Sequence, residues 1–594
     1  MDRSTIVRWV VIAVAVIVFW KWGMPLLSGK GGSDSVQNVP AETYTNAPDF
    51  TPDVIDPLSG DQKEAWSPKE GELCTVRGNR FEATLSTRGA GITHFKLLDP
   101  RYAGSESADM STTPDLERWR NLRTTFRADG ANDQVKYDRF NWKLEALGGT
   151  GCKFTYDDEG VKIVKTITAG SRAFELDVET AVTNLADATK RHRVAIGAFA
   201  YRLNEEVKGS LGRQSPFITE LSCARGKDVE RKGADDFKEG WFSQPLVDRY
   251  AAVSNTYFAQ AIVPNDGGGD KPECDLLSEQ WFGANQKADD DKAGHVFHAQ
   301  VQYPARQLEP NQTATYKQIA FFGPKERDVL GAAAGGRGLG DLINLGFFTV
   351  VAKVLVGFLI WIHSHITFGN WGIAIVLMTI FVRTVLFPLT WKSIKSTVAM
   401  RRLKPEIDAL NAKFKDDAQA KNMAMMQLWR THKVNPLGGC LPQLVQMPVW
   451  FAMYTTLQTA VEMYHTKFLW FTDLSAPDKF YILPLVLGGF MILQQRIVPQ
   501  QGMDPMQQKM MTWLLPIIFT VMMLFLPAAL GVYMLTNSIL GIVQQLAVEK
   551  FAPRPNSSGP KNDIVVKQGK GDDGDASQGK GASVALVGKG KARV

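Results

Sequence analysis

Acidic residues are missing where this chain is most apolar. Five long apolar segments in the C-terminal half, at 371–389, 441–461, 481–498, 511–526 and 528–548, contain no Asp or Glu; Glu462 and Glu549 lie just past segment ends. Arg383, in the middle of the first segment, therefore has no carboxylate within any of them to answer it. Cysteine is scarce. Five in 594 residues exclude a disulfide-dense scaffold, and their spacing fits no zinc pattern. Pairing among Cys74, Cys152, Cys223 and Cys274 stays open, while Cys440 reads as an inert small apolar residue. Catalytic signatures are also missing: the chain has no HExxH, GxSxG, Walker loop or Rossmann fingerprint. No enzymatic activity and no cofactor are expected. His363 and His365, two apart, do not amount to a metal site.

The average composition, 45% hydrophobic and 22% charged, looks globular but hides unlike parts. Residues 1–27 carry Arg3 and Arg8, an apolar run from Trp9 to Trp20, and Lys21. We read them as a signal-anchor span; the rival, a cleaved signal peptide, lacks a small-x-small site after the run. Residues 28–68, rich in Gly, Ser, Asp and Pro, read as a linker without fixed structure. Residues 69–330 alternate short β-like runs with turn residues, the pattern of an all-β sandwich. A glycine-rich linker, GAAAGGRGLG at 331–340, then leads into the apolar stretch 342–362. Residues 331–366 are taken together as linker and interfacial amphipathic helix, with a further span as the alternative reading of 342–362. Residues 367–550 hold the five apolar segments, each read as a span of a ~30 Å hydrocarbon core. With the anchor they make six spans of a multi-domain, polytopic α-helical membrane protein. Residues 551–594 form a low-complexity basic tail.

Charge sets the orientation. The segment 391–437 contains ten Lys/Arg against four Asp/Glu. Loops that stay in the cytoplasm collect Lys and Arg, so this one is placed there. Its apolar spacing predicts a helical hairpin, with Pro405 opening one helix and Asp416 and Asp417 marking the turn. Counting spans from it puts both termini in the cytoplasm and the β domain outside. Reading 342–362 as interfacial keeps that parity.

A charge at bilayer depth costs about 2.5–3.5 kcal/mol and usually faces water or a partner. Arg383 is thus the leading candidate for a functional residue. Its bland reading is snorkelling, because it lies six residues from Leu389, about 9 Å along a helix. Thr379 lies one turn before Arg383, and Gln443 and Gln446 share a face of the next span. Later spans offer Thr520, Tyr533, Thr536, Asn537, Gln544 and Gln545. Helix glue by hydrogen bonding is the bland reading for each.

FVRTVLFPLT (381–390), KVNPLGGCLPQLVQMPVW (433–450), FLWFTDLSAPDKFYILP (468–484) and MDPMQQKMM (503–511) occur in this order. Together they resemble the YidC-type membrane protein insertases of Gram-negative bacteria, over about 341–550. The resemblance implies a periplasmic β-supersandwich followed by a five-helix insertase core in the bacterial inner membrane. It implies a hydrophilic groove, open to cytoplasm and lipid, whose arginine matches Arg383. The candidate groove residues are Arg383, Thr379, Gln443, Gln446, Met447, Thr520 and Tyr533. The implied role is insertion, folding and assembly of membrane proteins, alone or with the Sec translocon. Expected partners are nascent membrane proteins, the lipid bilayer, and the ribosome and signal-recognition-particle receptor at the hairpin and tail. No DNA partner is expected.

Two other functions compete. A small-anion transporter would use Arg383 as its binding cation, but 371–548 shows no internal repeat. An intramembrane hydrolase would need a nucleophile and base that the sequence does not offer.

Overall fold

In the computed structural model the described residues are 71–551, apart from 103–107, 115, 127–141, 159, 208–218, 239, 266–270, 283–292, 415–416, 433–440, 498–505 and 507–508. The anchor expected at 1–27, the linker at 28–68, Cys440 and the tail beyond Phe551 lie outside them. The chain divides into two units, one β-rich and running to Leu342, the other helical and starting at Ile343.

The β unit is built from antiparallel sheets. The largest has nine strands in the order Asp228–Lys232, Glu220–Arg225, Tyr250–Ser254, Phe258–Pro264, Thr313–Pro324, Glu175–Asn184, Val161–Ala169, Gly151–Asp158 and Lys143–Ala146. A second has five, in the order Phe242–Gln244, Glu273–Trp281, Gly294–Gln302, Ala195–Leu203 and Thr124–Thr125. A third has three: Leu73–Gly78, Phe81–Ser86 and Gly91–Leu97. The strand Glu175–Asn184 alternates buried and more exposed positions, one face in and one out. The strand Phe258–Pro264 is instead buried on both faces and reads as an almost continuous apolar run. The four cysteines whose pairing the sequence left open form Cys74–Cys152 and Cys223–Cys274. Each bond joins two different sheets. Cys223 lies in the nine-stranded sheet and Cys274 in the five-stranded one, while Cys74 ties the three-stranded sheet to Cys152 of the nine.

The glycine-rich stretch expected as a linker at 331–340 is instead folded onto the β unit. A short helix, Arg327–Ala332, and two 3-10 turns, Ala333–Gly335 and Leu339–Leu342, carry it. Leu330, Ala333, Ala334, Leu339 and Leu342 are buried. Glu175 accepts the backbone N–H of Ala334 at 2.6 Å, and Arg249 donates to the carboxylate of Asp341 at 2.6 Å. Glycine here serves close turns, not flexibility: Gly335, Gly336 and Gly338 all have positive φ.

The helical unit runs α1 (Thr349–His365), α2 (Trp371–Val385), α3 (Phe387–Arg402), α4 (Lys404–Lys413), α5 (Ala418–Thr431), α6 (Leu441–Thr459), α7 (Ile482–Ile497), α8 (Met510–Met523) and α9 (Ala528–Phe551). The straight span expected at 371–389 is two helices, α2 and α3, bent by 66°. Pro388 stands in the first turn of α3 and lacks the N–H that would continue α2, so the chain turns there. By length and apolar composition α9 alone among the described residues makes a spanning helix; α2 with α3 passes only as a bent pair. Of the five spans expected within the described residues, only that at 528–548 is met by a single helix of spanning length and composition. α7 and α8 are apolar but short, and Pro448 interrupts the hydrogen-bond ladder of α6. α1 buries Ala352, Val356, Leu359 and Ile362 and exposes Val350, Val354 and Trp361. That outer apolar face suits lipid better than water.

α4 and α5 pack as a hairpin through Leu403, Ile407 and Leu410 against Ala424, Met425 and Leu428. Asp417 caps α5, accepting the N–H groups of Gln419 and Ala420.

Candidate functional site

The two ends of α2 have opposite surroundings. At its start, Trp371, Ile375 and Met378 join a buried apolar cluster with Leu457, Phe471, Leu474, Leu483, Leu530 and Tyr533. The loop between α6 and α7 seals that end. Leu474 and Ala476 of the loop accept backbone N–H groups of Ala529 and Ala528 at the head of α9. Phe468 lies over Gly372, where a Cβ would meet its ring at 2.1 Å, so only glycine admits this closure. Asp478 holds the loop's exit, accepting from the backbone of Leu483 and from the indole of Trp470.

At the other end, about 16 Å away along the helix, the packing turns polar. Arg383 stands in the last turn of α2, where a cation complements the helix dipole. Its guanidinium turns to α9, not along its own helix. Nε donates to Oδ1 of Asn537 at 2.7 Å, one terminal nitrogen donates to the backbone carbonyl of Asn537 at 2.9 Å, and the other to Oε1 of Gln544 at 3.2 Å. Gln544 donates back to the backbone carbonyl of Arg383 at 3.3 Å. Gln446 of α6 donates to Oδ1 of Asn537 at 3.2 Å. Asn537, Gly541 and Gln544 follow Tyr533 at helical spacing on one face of α9. A Cβ on Gly541 would stand 3.3 Å from the guanidinium and 3.5 Å from the amide of Gln494 on α7. Among the described residues no carboxylate pairs with Arg383. Arg383, Gln446, Gln494, Asn537 and Gln544 are all partly exposed, whereas Tyr533 and Thr379 are buried.

The residues expected from sequence divide accordingly. Arg383 and Gln446 meet through Asn537. Tyr533 lies one turn above Asn537. Thr379 donates to the carbonyl of Ile375 in its own helix, at 2.7 Å, beside the apolar cluster. Thr520 donates to Pro516 in its own helix and packs on Gly488 of α7, so it joins α7 and α8 and does not meet Arg383. Met447 is exposed. The side chain of Gln443 lies outside the described residues. Asn537 and Gln544 are polar positions that sequence noted without placing, and Gln494 and Gly541 carried no signal. Only their spacing on an apolar helix points to one face.

Another polar contact lies toward the C-terminal ends of α3 and α9. Arg401 pairs with Glu549 at 2.9 Å and donates to the carbonyl of Ile497 at 2.8 Å.

Among its described residues the β unit holds buried titratable groups but no acid–base constellation. Lys325 donates to the carbonyl of Asn255 at 2.9 Å, and burial pushes its pKa down to about 8. His298 stacks on Phe199 at 4.0 Å; burial, reinforced by Arg123, holds it down to about 3, hence neutral. A small cleft is lined by Arg202, Ser254, Asn255 and Gln260 among others. The described residues contain no cluster of three or more His, Cys, Asp or Glu fit for a metal ion. His363 stacks on Trp371 and His365 on Trp361.

A family model described as the YidC periplasmic domain matches residues 73–358, and one described as 60Kd inner membrane protein matches 361–555. A membrane protein insertase YidC of Anaeromyxobacter dehalogenans is 33% identical over 507 residues, 82% of this chain and 86% of that protein. The chain belongs to the YidC family of membrane protein insertases. A YidC of Nitratidesulfovibrio vulgaris is 31% identical over 564 residues, covering 92% of this chain and 99% of its own length. A crystal structure of an active YidC insertase aligns with 82% of this chain and 96% of its own, at 18% identity and a TM-score of 0.33. The family descriptions name an inner membrane protein with a periplasmic domain, which assigns the β unit its compartment. Curated YidC relatives are named as insertases, not as enzymes.

Proposed function

We propose that this chain inserts and helps fold membrane proteins in the inner membrane, using the partly exposed Arg383 as the polar floor of a groove between α2, α6, α7 and α9. One observation carries the reading: a guanidinium held by neutral amides, with no carboxylate partner among the described residues, at the polar end of a bundle whose other end is packed with apolar side chains.

The physics follows from the lengths. α2 has 15 residues, about 22 Å, against a ~30 Å hydrocarbon core. A client's polar tail entering from the inner side therefore crosses less hydrocarbon. A carboxylate on that tail gains a charge-assisted hydrogen bond from Arg383, stronger than the amide contacts it displaces. The client's apolar segment then leaves sideways into lipid, where burial is worth about 25 cal/mol per Å². Hydrolysis of a nucleotide has no part in this path.

The finer reading keeps six spans, both termini in the cytoplasm, and α1 along the outer interface. The basic hairpin at 391–437, whose excess of Lys and Arg suits acidic partners, is the contact for the ribosome and the signal-recognition-particle receptor. Cooperation with the Sec translocon uses the same groove.

The test is insertion into liposomes containing the purified chain. Arg383→Ala is expected to slow insertion of a client with an acidic translocated tail by about tenfold, the worth of one charge-assisted contact, while the protein still folds. Equal insertion by both proteins would remove the groove from the mechanism.

A further inference from the structure

Asn537 is bound on one side only. Arg383 donates and never accepts, so the Asn537 side-chain atom 2.7 Å from its Nε must be the carbonyl oxygen. The donor from Gln446 meets the same oxygen. That fixes the amide's orientation without reference to hydrogens, and leaves Nδ2 on the far side. Among the described residues Nδ2 makes no hydrogen bond, and it is not one of the buried unpartnered atoms. Asn537 also offers its backbone carbonyl to Arg383. One residue of α9 thus anchors the guanidinium twice, joins α2 to α6, and still has an accessible N–H₂ group beside the cation.

We infer that Asn537 is both the positioning residue of Arg383 and the second donor of an anion site: a client carboxylate or backbone carbonyl is held by the guanidinium and by Nδ2 of Asn537 together. This rests on the reading that Arg383 meets the client. The chemistry explains why an amide stands here and not a carboxylate. An aspartate would hold the guanidinium more tightly, but would neutralise it and replace the free donor with a lone pair. Gly541, one turn on, keeps the space beside the guanidinium clear, since any Cβ there would approach it at 3.3 Å.

Asn537→Asp separates this from a scaffolding role, because aspartate is isosteric and keeps the accepting oxygen. The full-length chain is reconstituted in liposomes and given a client with an acidic translocated tail and one with a neutral tail. Asn537→Asp is expected to slow the acidic client by about tenfold, through lost donor and added repulsion, while its thermal unfolding midpoint in detergent equals or exceeds that of the wild type. Asn537→Ala, which loses the donor and the oxygen that accepts from Arg383 and Gln446 but adds no charge, is expected to slow the acidic client by about threefold. Wild-type insertion of the acidic client by Asn537→Asp would overturn the inference. So would equal loss in Asp and Ala variants accompanied by a lowered unfolding midpoint. Arg383→Ala is run alongside. If it is deficient while Asn537→Asp is not, only the role of Asn537 fails; if it inserts normally, the groove reading itself fails.

Discussion

A cation among amides is poised differently from one in an ion pair. Arg383 donates to Asn537 and Gln544, neutral acceptors that a carboxylate can displace at a gain. Its position was legible because a lone charge in an apolar run stands out. Its partners were not, because asparagines and glutamines occur on several helices and sequence does not say which face of α9 looks at α2. Lys325 shows the same limit in the β unit. Nothing in its sequence neighbourhood announces a buried amine, yet it is sealed against the carbonyl of Asn255. Burial, with Arg231 and Arg327 adding and Glu220 opposing, lowers its pKa from 10.5 to about 8. Between those values the unfolded chain binds the proton that the folded chain has released, so stability rises as pH rises from about 8 to about 10.5. The gain is on the order of 3 kcal/mol. The urea midpoint of the β unit, followed by pulse proteolysis across this range, should climb, and Lys325→Met should flatten the climb.

At the scale of elements, proline and glycine decide what hydropathy leaves undecided. An apolar run from Trp371 to Leu389 looks like one span, but Pro388 ends α2 and bends the chain by 66°, so Arg383 falls in a last turn and not mid-helix. The glycines of 331–340 looked like a linker, and become turns that dock the stretch on the β unit. Gly488 is a contact residue: a Cβ there would meet Oγ1 of Thr520 at 2.2 Å, pushing α7 from α8. Gly488→Ala is expected to destabilise the helical unit by about 1–3 kcal/mol, the usual cost of overpacking. Adding Thr520→Ala should recover most of it, because Thr520 otherwise bonds only within its own helix. Thermal unfolding in detergent measures both. Recovery would show that Thr520 belongs to packing and not to the client groove.

For the whole molecule, the sheets of the β unit are stapled to one another. Cys223–Cys274 closes a separation of 51 residues and Cys74–Cys152 one of 78. On the chain-entropy account each contributes about 4 kcal/mol. Replacing Cys223 and Cys274 together by alanine should lower the stability of the β unit by that order, read as a shifted urea midpoint. Insertion of a simple client by the same variant should stay near wild type, because Arg383 and its partners belong to the helical unit. A matching loss of insertion would tie the β unit directly to the groove.

Composition and pattern alone established the division into a β-rich part and an apolar helical part, the charged hairpin between apolar segments, and the isolated arginine. These are properties of short stretches: period-two alternation, long apolar runs and uneven charge each declare themselves locally. Tertiary structure alone decided which cysteines pair, that 331–342 folds onto the sheets, and that Arg383 is met by α9 and α6. Those outcomes depend on which faces come together after the chain has turned. Contact between Arg383 and Asn537, 154 positions apart, leaves no trace in either neighbourhood.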